Sequence, residues 1–132
     1  MMTYALLELI TCLALFVYCW NFAKVGRARG QYAIKAPAVT GNPDFERVFR
    51  VQQNMLEQLV VFLPALWLFC LTLSPLWGAV VGAIWIVGRI IYSAAYYGNA
   101  EKRGPGFMIA ITCSAILLIG AFIGSVEQLT HL

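Results

Sequence analysis

Four polar side chains recur at helical spacing in the second quarter of the chain. Arg47, Arg50, Asn54 and Glu57 are separated by three, four and three residues, which places them on one face of an α-helix. Guanidinium, amide and carboxylate groups form charge-assisted hydrogen bonds. The face therefore either binds a polar ligand, or forms a structural network of ion pairs and amides that holds helices together.

A second polar face follows at similar spacing. Arg89, Tyr92, Tyr96 and Arg103 are separated by three, four and seven residues, again on one side of a helix. Guanidinium groups and phenols supply hydrogen-bond donors without a carboxylate, a combination suited to holding an anion. For Tyr96 the alternative is an aromatic belt at a membrane interface, and for Arg103 it is an ordinary basic flank.

The composition shows which kind of chain must position these residues. Of 132 residues, 61% are hydrophobic and 11% charged, and the mean hydropathy is +0.78. A chain this short and this apolar is not an ordinary water-soluble domain. An aromatic content of 14% excludes a disordered chain, and a net charge of +3 is too small to indicate nucleic-acid binding.

Long uncharged runs predict helices that span a membrane. They cover 9–23, 58–88 and 104–126, and a turn at 74–78 divides the middle run. Helices are expected because hydrocarbon offers no partner to an open backbone. We predict an all-α integral membrane protein, an up-down bundle of four transmembrane helices that forms one domain over residues 1–132. The predicted helices cover about 4–25, 46–72, 76–98 and 106–128.

The positions of the basic residues predict the orientation. The stretch 24–50 carries six basic residues and the connection 98–105 carries two, whereas the 73–75 turn and both termini carry none. The positive-inside rule then places the first and third connections in the cytoplasm and both termini on the opposite side. Both polar faces then lie near the predicted cytoplasmic side. Because a charge that faces lipid would cost roughly 2.5–3.5 kcal/mol at the centre of a helix, we expect the two faces to form a cationic pocket.

Other chemistries find no support in the residue pattern. The four cysteines lie inside predicted helices, no Cys-x-x-Cys or Cys/His cluster occurs, and the single histidine is His131. We therefore expect no metal site and no disulfide framework. A small proton-coupled multidrug exporter, with Glu8 as its key carboxylate, remains an alternative function.

Two sequence runs resemble the MAPEG family, the membrane-associated proteins in eicosanoid and glutathione metabolism. The first run, at positions 45–57, reads FERVFRVQQNMLE and follows a loop that contains Pro37 and Thr40-Gly41-Asn42-Pro43. The second, at positions 89–96, reads RIIYSAAY and is followed seven residues later by Arg103. The resemblance covers nearly the whole chain and is strongest to the branch of microsomal glutathione transferases and cysteinyl-leukotriene synthase.

The resemblance implies a fold, a function and a location. Members of this branch are homotrimers that bind glutathione as co-substrate between neighbouring subunits. The implied activity is that of a glutathione transferase, which activates glutathione as a thiolate for conjugation to lipophilic electrophiles or for reduction of lipid hydroperoxides. The membrane would be the bacterial inner membrane or the endoplasmic reticulum.

The resemblance also implies a role for each matching residue. The γ-glutamyl end of glutathione would be held by Arg50, Asn54, Glu57 and Tyr92. The glycyl carboxylate would be held by Arg29 and Gln52, with Arg89 and Tyr96 lining the site. Arg103 would stabilise the thiolate.

Two departures from the family pattern limit this transfer. Gln58 stands where the leukotriene synthase has a tyrosine, and Gly30 where it has a second arginine. These departures favour a general transferase or peroxidase over epoxide opening, and a non-catalytic lipid-binding member of the family remains an alternative. We expect the lipophilic substrate to contact generic apolar side chains such as Leu59, Phe62, Ile109 and Leu117.

Overall fold

Four long helices make up almost the whole chain. The computed structural model describes residues 2–132, with side chains from Tyr4 onward. Its elements are α1 (Met2–Tyr32), α2 (Pro43–Thr72), α3 (Pro75–Gly98), a short 3₁₀ turn (Ala100–Arg103) and α4 (Gly104–Thr130). Each of the four helices is long and apolar enough to cross a bilayer, and the outer faces expose large apolar side chains such as Phe16, Val60 and Phe122.

Short polar side chains set where the later helices begin. The Asn42 side chain accepts hydrogen bonds from the backbone N–H groups of Asp44 and Phe45 at 2.9 and 3.2 Å. The Ser74 hydroxyl accepts from Trp77 N–H at 3.3 Å. In both cases a proline follows directly, at the first helical position, where its missing N–H costs nothing.

The first helix extends beyond the predicted span. It ends at Tyr32, whereas the apolar pattern suggested an end near residue 25. The difference arises because hydropathy marks where the bilayer core ends, and nothing in 24–32 breaks a helix. The backbone turns only at Ala33, which has a φ of 56°. α2 likewise begins at Pro43, before the predicted 46, because the Asn42 cap precedes it.

The core lies where all four helices meet in the middle of the bundle. Phe62 of α2 and Trp85 of α3 stack with their ring centroids 3.7 Å apart, and the Trp85 indole N–H donates to the Ser114 hydroxyl of α4 at 3.1 Å. Leu66 and Leu117 complete this layer and are fully buried. The layer fixes the relative positions of α2, α3 and α4.

Glycines bring α3 and α4 into close contact beside one of the polar faces. A Cβ atom at Gly106 would overlap the backbone of Tyr92, and one at Gly88 would lie 2.6 Å from Ile109 Cγ2. The helices can therefore approach this closely only with glycine at both positions. The contact sets the height and the rotation of Tyr92.

Two GxxxG pairs, Gly78/Gly82 and Gly120/Gly124, also pack inside the chain. A Cβ atom at Gly120 would lie 2.5 Å from the Phe69 ring, and one at Gly82 would lie 2.8 Å from Ile10. Because these small residues already serve contacts between helices of one subunit, they carry no information about the oligomer.

One end of the bundle collects the basic residues. It comprises the last turns of α1 and α3, the first turns of α2 and α4, and the two connections between them. We call this the basic end of the bundle. Both polar faces found in the sequence lie there.

Candidate functional site

A polar cavity opens at the basic end between α2, α3 and the start of α4. We call it the central polar cavity. Its volume is about 210 Å³. The lining residues are Asn54, Glu57, Gln58, Arg89, Tyr92, Arg103 and Phe107. Side chains from α2, α3, the 3₁₀ turn and α4 therefore converge on one small space.

A short hydrogen bond joins the two polar faces inside this cavity. The Asn54 amide nitrogen donates to the Tyr92 hydroxyl oxygen at 2.6 Å, and Tyr92 is only 3% exposed. Since the hydroxyl oxygen acts as acceptor here, the Tyr92 O–H remains free to donate to a ligand. The pair thus presents a donor that is already oriented.

Arg89 is a buried cation that has no anionic partner in the part of the chain that the structure describes. The residue is 1% exposed, and its guanidinium carbon lies 4.1 Å from the centroid of the Tyr92 ring. Within the described part of the chain, its Nε and Nη2 atoms have no hydrogen-bond acceptor, and the one ion pair joins Arg47 and Asp44 instead. Buried unpaired charge is costly, so an anion bound in the central polar cavity, which Arg89 helps to line, would offset this charge.

Glu57 and Arg103 complete the cavity with groups of opposite charge. Both side chains are exposed in the single subunit. The Arg103 Nη1 atom donates to the Ala100 carbonyl oxygen at 2.7 Å, which holds the side chain against the 3₁₀ turn. A guanidinium has five N–H donors, so others remain available to the cavity.

A second cavity lies at the basic end, on the side of the α1–α2 connection. This loop-side cavity has a volume of about 520 Å³, and Arg50 and Tyr96 line it together with Glu46 and Phe49. The Arg103 guanidinium carbon lies 5.6 Å from the centroid of the Tyr96 ring. A residue that lines the loop-side cavity, Tyr96, therefore lies beside a residue that lines the central polar cavity, Arg103.

Two residues that the sequence assigned to the same ligand lie elsewhere in the subunit. Arg29 donates from Nη1 to the carbonyl oxygens of Ile34 and Ala38, at 3.3 and 2.8 Å. Gln52 donates to the Tyr18 hydroxyl of α1 at 3.3 Å. Neither residue lines the central polar cavity or the loop-side cavity.

Sequence reasoning did not assign two of the residues that line the central polar cavity. Gln58 departs from the family pattern, and neither of the two polar helix faces includes Gln58 or Phe107. Phe107 lies one helical turn after Arg103, so the 3.6-residue period could have indicated it. Gln58 is adjacent to Glu57, and side chains one position apart do not share a helix face.

The expected lipophilic contacts are partly wrong. Phe62 and Leu117 are 0% exposed, and Leu59 is 6% exposed, so these side chains form the core and cannot line an open cleft. Apolar composition alone does not distinguish a core position from a binding position. Among the residues that the structure describes, no group of three or more His, Cys, Asp or Glu side chains could hold a metal ion.

The arrangement defines a class of protein: a four-helix membrane bundle with a polar, mainly cationic site near one membrane face. Residues 6–123 match the MAPEG family, and the chain belongs to that family. The expected family and the predicted all-α membrane bundle of four helices are thereby confirmed.

Three relatives show how close the similarity is. An uncharacterized protein of Synechocystis sp. is 50% identical over 124 residues, which are 94% of this chain and 90% of that protein. Microsomal glutathione S-transferase 2 of Homo sapiens is 40% identical over 99 residues, or 74% of this chain and 67% of that protein. Leukotriene C4 synthase of Cavia porcellus is 32% identical over 99 residues, which are 75% of this chain and 66% of that protein.

Proposed function

We propose that this protein is a membrane-bound glutathione transferase. It activates glutathione as a thiolate for conjugation to lipophilic electrophiles or for reduction of lipid hydroperoxides. The observation that carries the proposal is the buried Arg89 beside the Asn54–Tyr92 pair; its Nε and Nη2 atoms have no acceptor among the described residues. Relatives named as glutathione transferases support the same activity class.

The charges of glutathione match the side chains of the site. Its γ-glutamyl end carries a carboxylate and an ammonium group. Glu57 suits the ammonium, while Arg50, Asn54 and Tyr92 suit the carboxylate, with Arg89 as a buried countercharge. A charge-assisted hydrogen bond is worth about 1.5–3 kcal/mol, so two or three such contacts hold the co-substrate firmly.

The glycyl carboxylate of glutathione is proposed to bind to residues of a second subunit. Arg29 and Gln52 line neither cavity of their own subunit, so they can reach glutathione only if a neighbouring copy brings them to the site. A homotrimer supplies this arrangement by symmetry. Arg29 would then combine two roles, since it also holds the carbonyl oxygens of Ile34 and Ala38.

Arg103 is proposed to stabilise the thiolate. A thiol with a pKa of about 8.5 is only a few per cent ionised at neutral pH. Lowering that pKa by ~1.5–2 units requires ~2–3 kcal/mol of preferential stabilisation of the anion. A guanidinium that donates a charge-assisted hydrogen bond to sulfur supplies an interaction of this size.

The thiolate then reacts with a substrate that enters from the bilayer. In conjugation, the sulfur forms a bond to an electrophilic carbon, and the leaving group departs with the bonding electrons. In reduction, the sulfur attacks the distal oxygen of a hydroperoxide and the O–O bond breaks. The products are glutathione sulfenic acid and an alcohol, and a second glutathione converts the sulfenic acid to the disulfide and water.

The membrane arrangement follows from the same proposal. The excess of basic residues in the two connections supports a cytoplasmic basic end, which gives the site access to soluble glutathione. The membrane is a bacterial inner membrane or the endoplasmic reticulum. The four helices form one domain over residues 1–132.

One experiment tests the activity against a non-catalytic role. The protein is purified in detergent and assayed for glutathione binding, for the ultraviolet absorbance of the thiolate, and for conjugation of a generic electrophile. We expect all three. Lipid binding without glutathione binding would instead select the non-catalytic scaffold, and substrate-driven proton release without glutathione would select an exporter.

A further inference from the structure

A third polar cavity lies at the basic end, between α1 and α3. We call it the α1–α3 cavity. Its volume is about 130 Å³, and its polar lining comes from α1 and α3, with Val48 of α2 as an apolar neighbour. The polar residues are Lys24, Arg27, Gln31 and Tyr32 of α1 and Tyr97 of α3. Tyr97 and Tyr92 are five residues apart, so they point roughly 140° away from each other around the helix axis. The α1–α3 cavity is therefore separate from the central polar cavity.

Two cations face this cavity, and the described residues supply no countercharge to them. Among the described residues no carboxylate lies within 4 Å of Lys24 or Arg27, and the cavity lining contains no acidic residue. The Lys24 ammonium lies 4.6 Å from the centroid of the Tyr97 ring and 5.8 Å from that of Trp20, so aromatic rings hold it in place. Like charges three residues apart on a helix repel each other, and an anion between them removes that repulsion.

The cavity also lies at the depth of lipid headgroups. α1 is uncharged from Leu9 to Ala23, and Lys24 is the first charged residue that follows. The apolar part of the helix thus ends at the cavity. Basic pockets between transmembrane helices at this level bind phosphate groups of anionic lipids.

A buried amide next to the cavity can provide a further donor. The Tyr97 hydroxyl donates to Asn21 Oδ1 at 2.8 Å, and Asn21 is 0% exposed. Within the described residues its Nδ2 atom has no acceptor. A half-turn of the amide would let Nδ2 donate to the Tyr97 oxygen, and the hydroxyl proton would then be free to donate into the cavity.

We propose that the α1–α3 cavity binds a phosphate group, with Lys24 and Arg27 as charge partners and Tyr97 as hydrogen-bond donor. The cavity volume of about 130 Å³ compares with ~30 Å³ for one water molecule in the liquid. A phosphate with a few waters therefore fits. The phosphate belongs either to an anionic phospholipid headgroup or to a free phosphate compound.

The test uses the whole protein in detergent and compares three ligands. Short-chain phosphatidylglycerol, short-chain phosphatidylcholine and inorganic phosphate are each titrated at constant ionic strength, and Kd is taken from the rise of Tm with ligand concentration. The test variant is Lys24→Gln with Arg27→Gln. The matched control, Lys35→Gln with Lys102→Gln, removes the same charge from exposed positions at the same end.

We expect phosphatidylglycerol to raise Tm and phosphatidylcholine to leave it unchanged. The test variant should bind phosphatidylglycerol on the order of 30-fold more weakly, Tyr97→Phe should bind it more weakly as well, and the matched control should bind like the unaltered protein. An equal response to inorganic phosphate would identify a free phosphate compound as the ligand of the same site. Equal weakening in the test and control variants, or no Tm response to any phosphate ligand, would overturn the proposal.

Discussion

Asn54 of α2 donates a 2.6 Å hydrogen bond to the hydroxyl of Tyr92 on α3. The two residues are 38 positions apart in sequence, yet each belongs to a polar helix face that the spacing alone reveals. The bond aligns the two faces at the same height in the membrane. It also leaves the Tyr92 hydroxyl proton free to donate to a ligand, and Tyr92 lines the central polar cavity together with Arg89, whose guanidinium lies over the Tyr92 ring.

Arg89→Met separates the role of this arginine in binding from its role in stability. Methionine is unbranched and apolar, so it removes a buried cation that lacks a partner. We expect the free energy of unfolding without glutathione to stay constant or to rise by about 1–4 kcal/mol, and glutathione binding to weaken by roughly 10- to 100-fold. Lys102→Met is the control and should change neither. Thermal unfolding with and without glutathione measures both effects; a large loss of stability in Arg89→Met would contradict the account.

Glu57→Gln tests the proposed contact to the ammonium group of glutathione. The unaltered protein should bind glutathione roughly 10- to 100-fold more tightly than the analogue that lacks the amino group. The variant should bind both compounds with similar affinity, because its amide carries no charge. Isothermal titration of the two compounds with the two proteins completes a double-mutant cycle. If the variant discriminates as strongly as the parent does, Glu57 is not the partner of the ammonium.

Mixed oligomers test whether Arg29 acts across subunits. Arg29→Ala and Arg103→Ala subunits should each be inactive alone. The two kinds of subunit are co-expressed in equal amounts, so that they mix at random in the proposed trimer. About one quarter of the sites should then combine an intact Arg103 with an intact Arg29 from the neighbouring subunit. Conjugation activity should therefore return to about a quarter of the unaltered level. Absence of recovery would show that Arg29 serves only the loop that it holds within its own subunit.

Gly106→Ala tests the close contact that positions Tyr92. The new methyl group would overlap the Tyr92 backbone, so we expect a loss of about 1–3 kcal/mol in stability and a shift of the site. Gly26→Ala is the matched control, since nothing lies within 4 Å of a Cβ there, and it should stabilise α1 by about 0.5–1 kcal/mol. Equal Tm values for the two variants would contradict the close contact between Gly106 and the Tyr92 backbone.

The sequence predicted the fold well because its signals are local. Uncharged runs and a turn at 74–78 identify membrane helices directly. The end of α1 was misplaced because hydropathy follows the bilayer and does not report where the backbone turns. Phe62 and Leu117 were misassigned to a cleft because composition does not reveal which apolar face points inward.

The site was predictable as far as helix faces allow. Spacing grouped Asn54 with Glu57 and Arg89 with Tyr92, and the structure brings these pairs into one cavity. Gln58 lies outside the polar face of α2, and only the packing of α2 against the other helices makes it a neighbour of Arg103, whereas Phe107 lies one helical turn after Arg103. The proposed position of Arg29 in the site depends on a second subunit, which helix periodicity does not describe.

The proposal that Arg103 stabilises the thiolate of bound glutathione can be tested directly. Thiolate absorbance and kcat with a generic electrophile are measured at saturating glutathione and neutral pH, for the unaltered protein, for Arg103→Ala and for the control Lys102→Ala. We expect Arg103→Ala still to bind glutathione, to lose the thiolate absorbance and to turn over at least about 30-fold more slowly. Lys102→Ala should behave like the unaltered protein. Unchanged absorbance and turnover in Arg103→Ala would contradict the proposal.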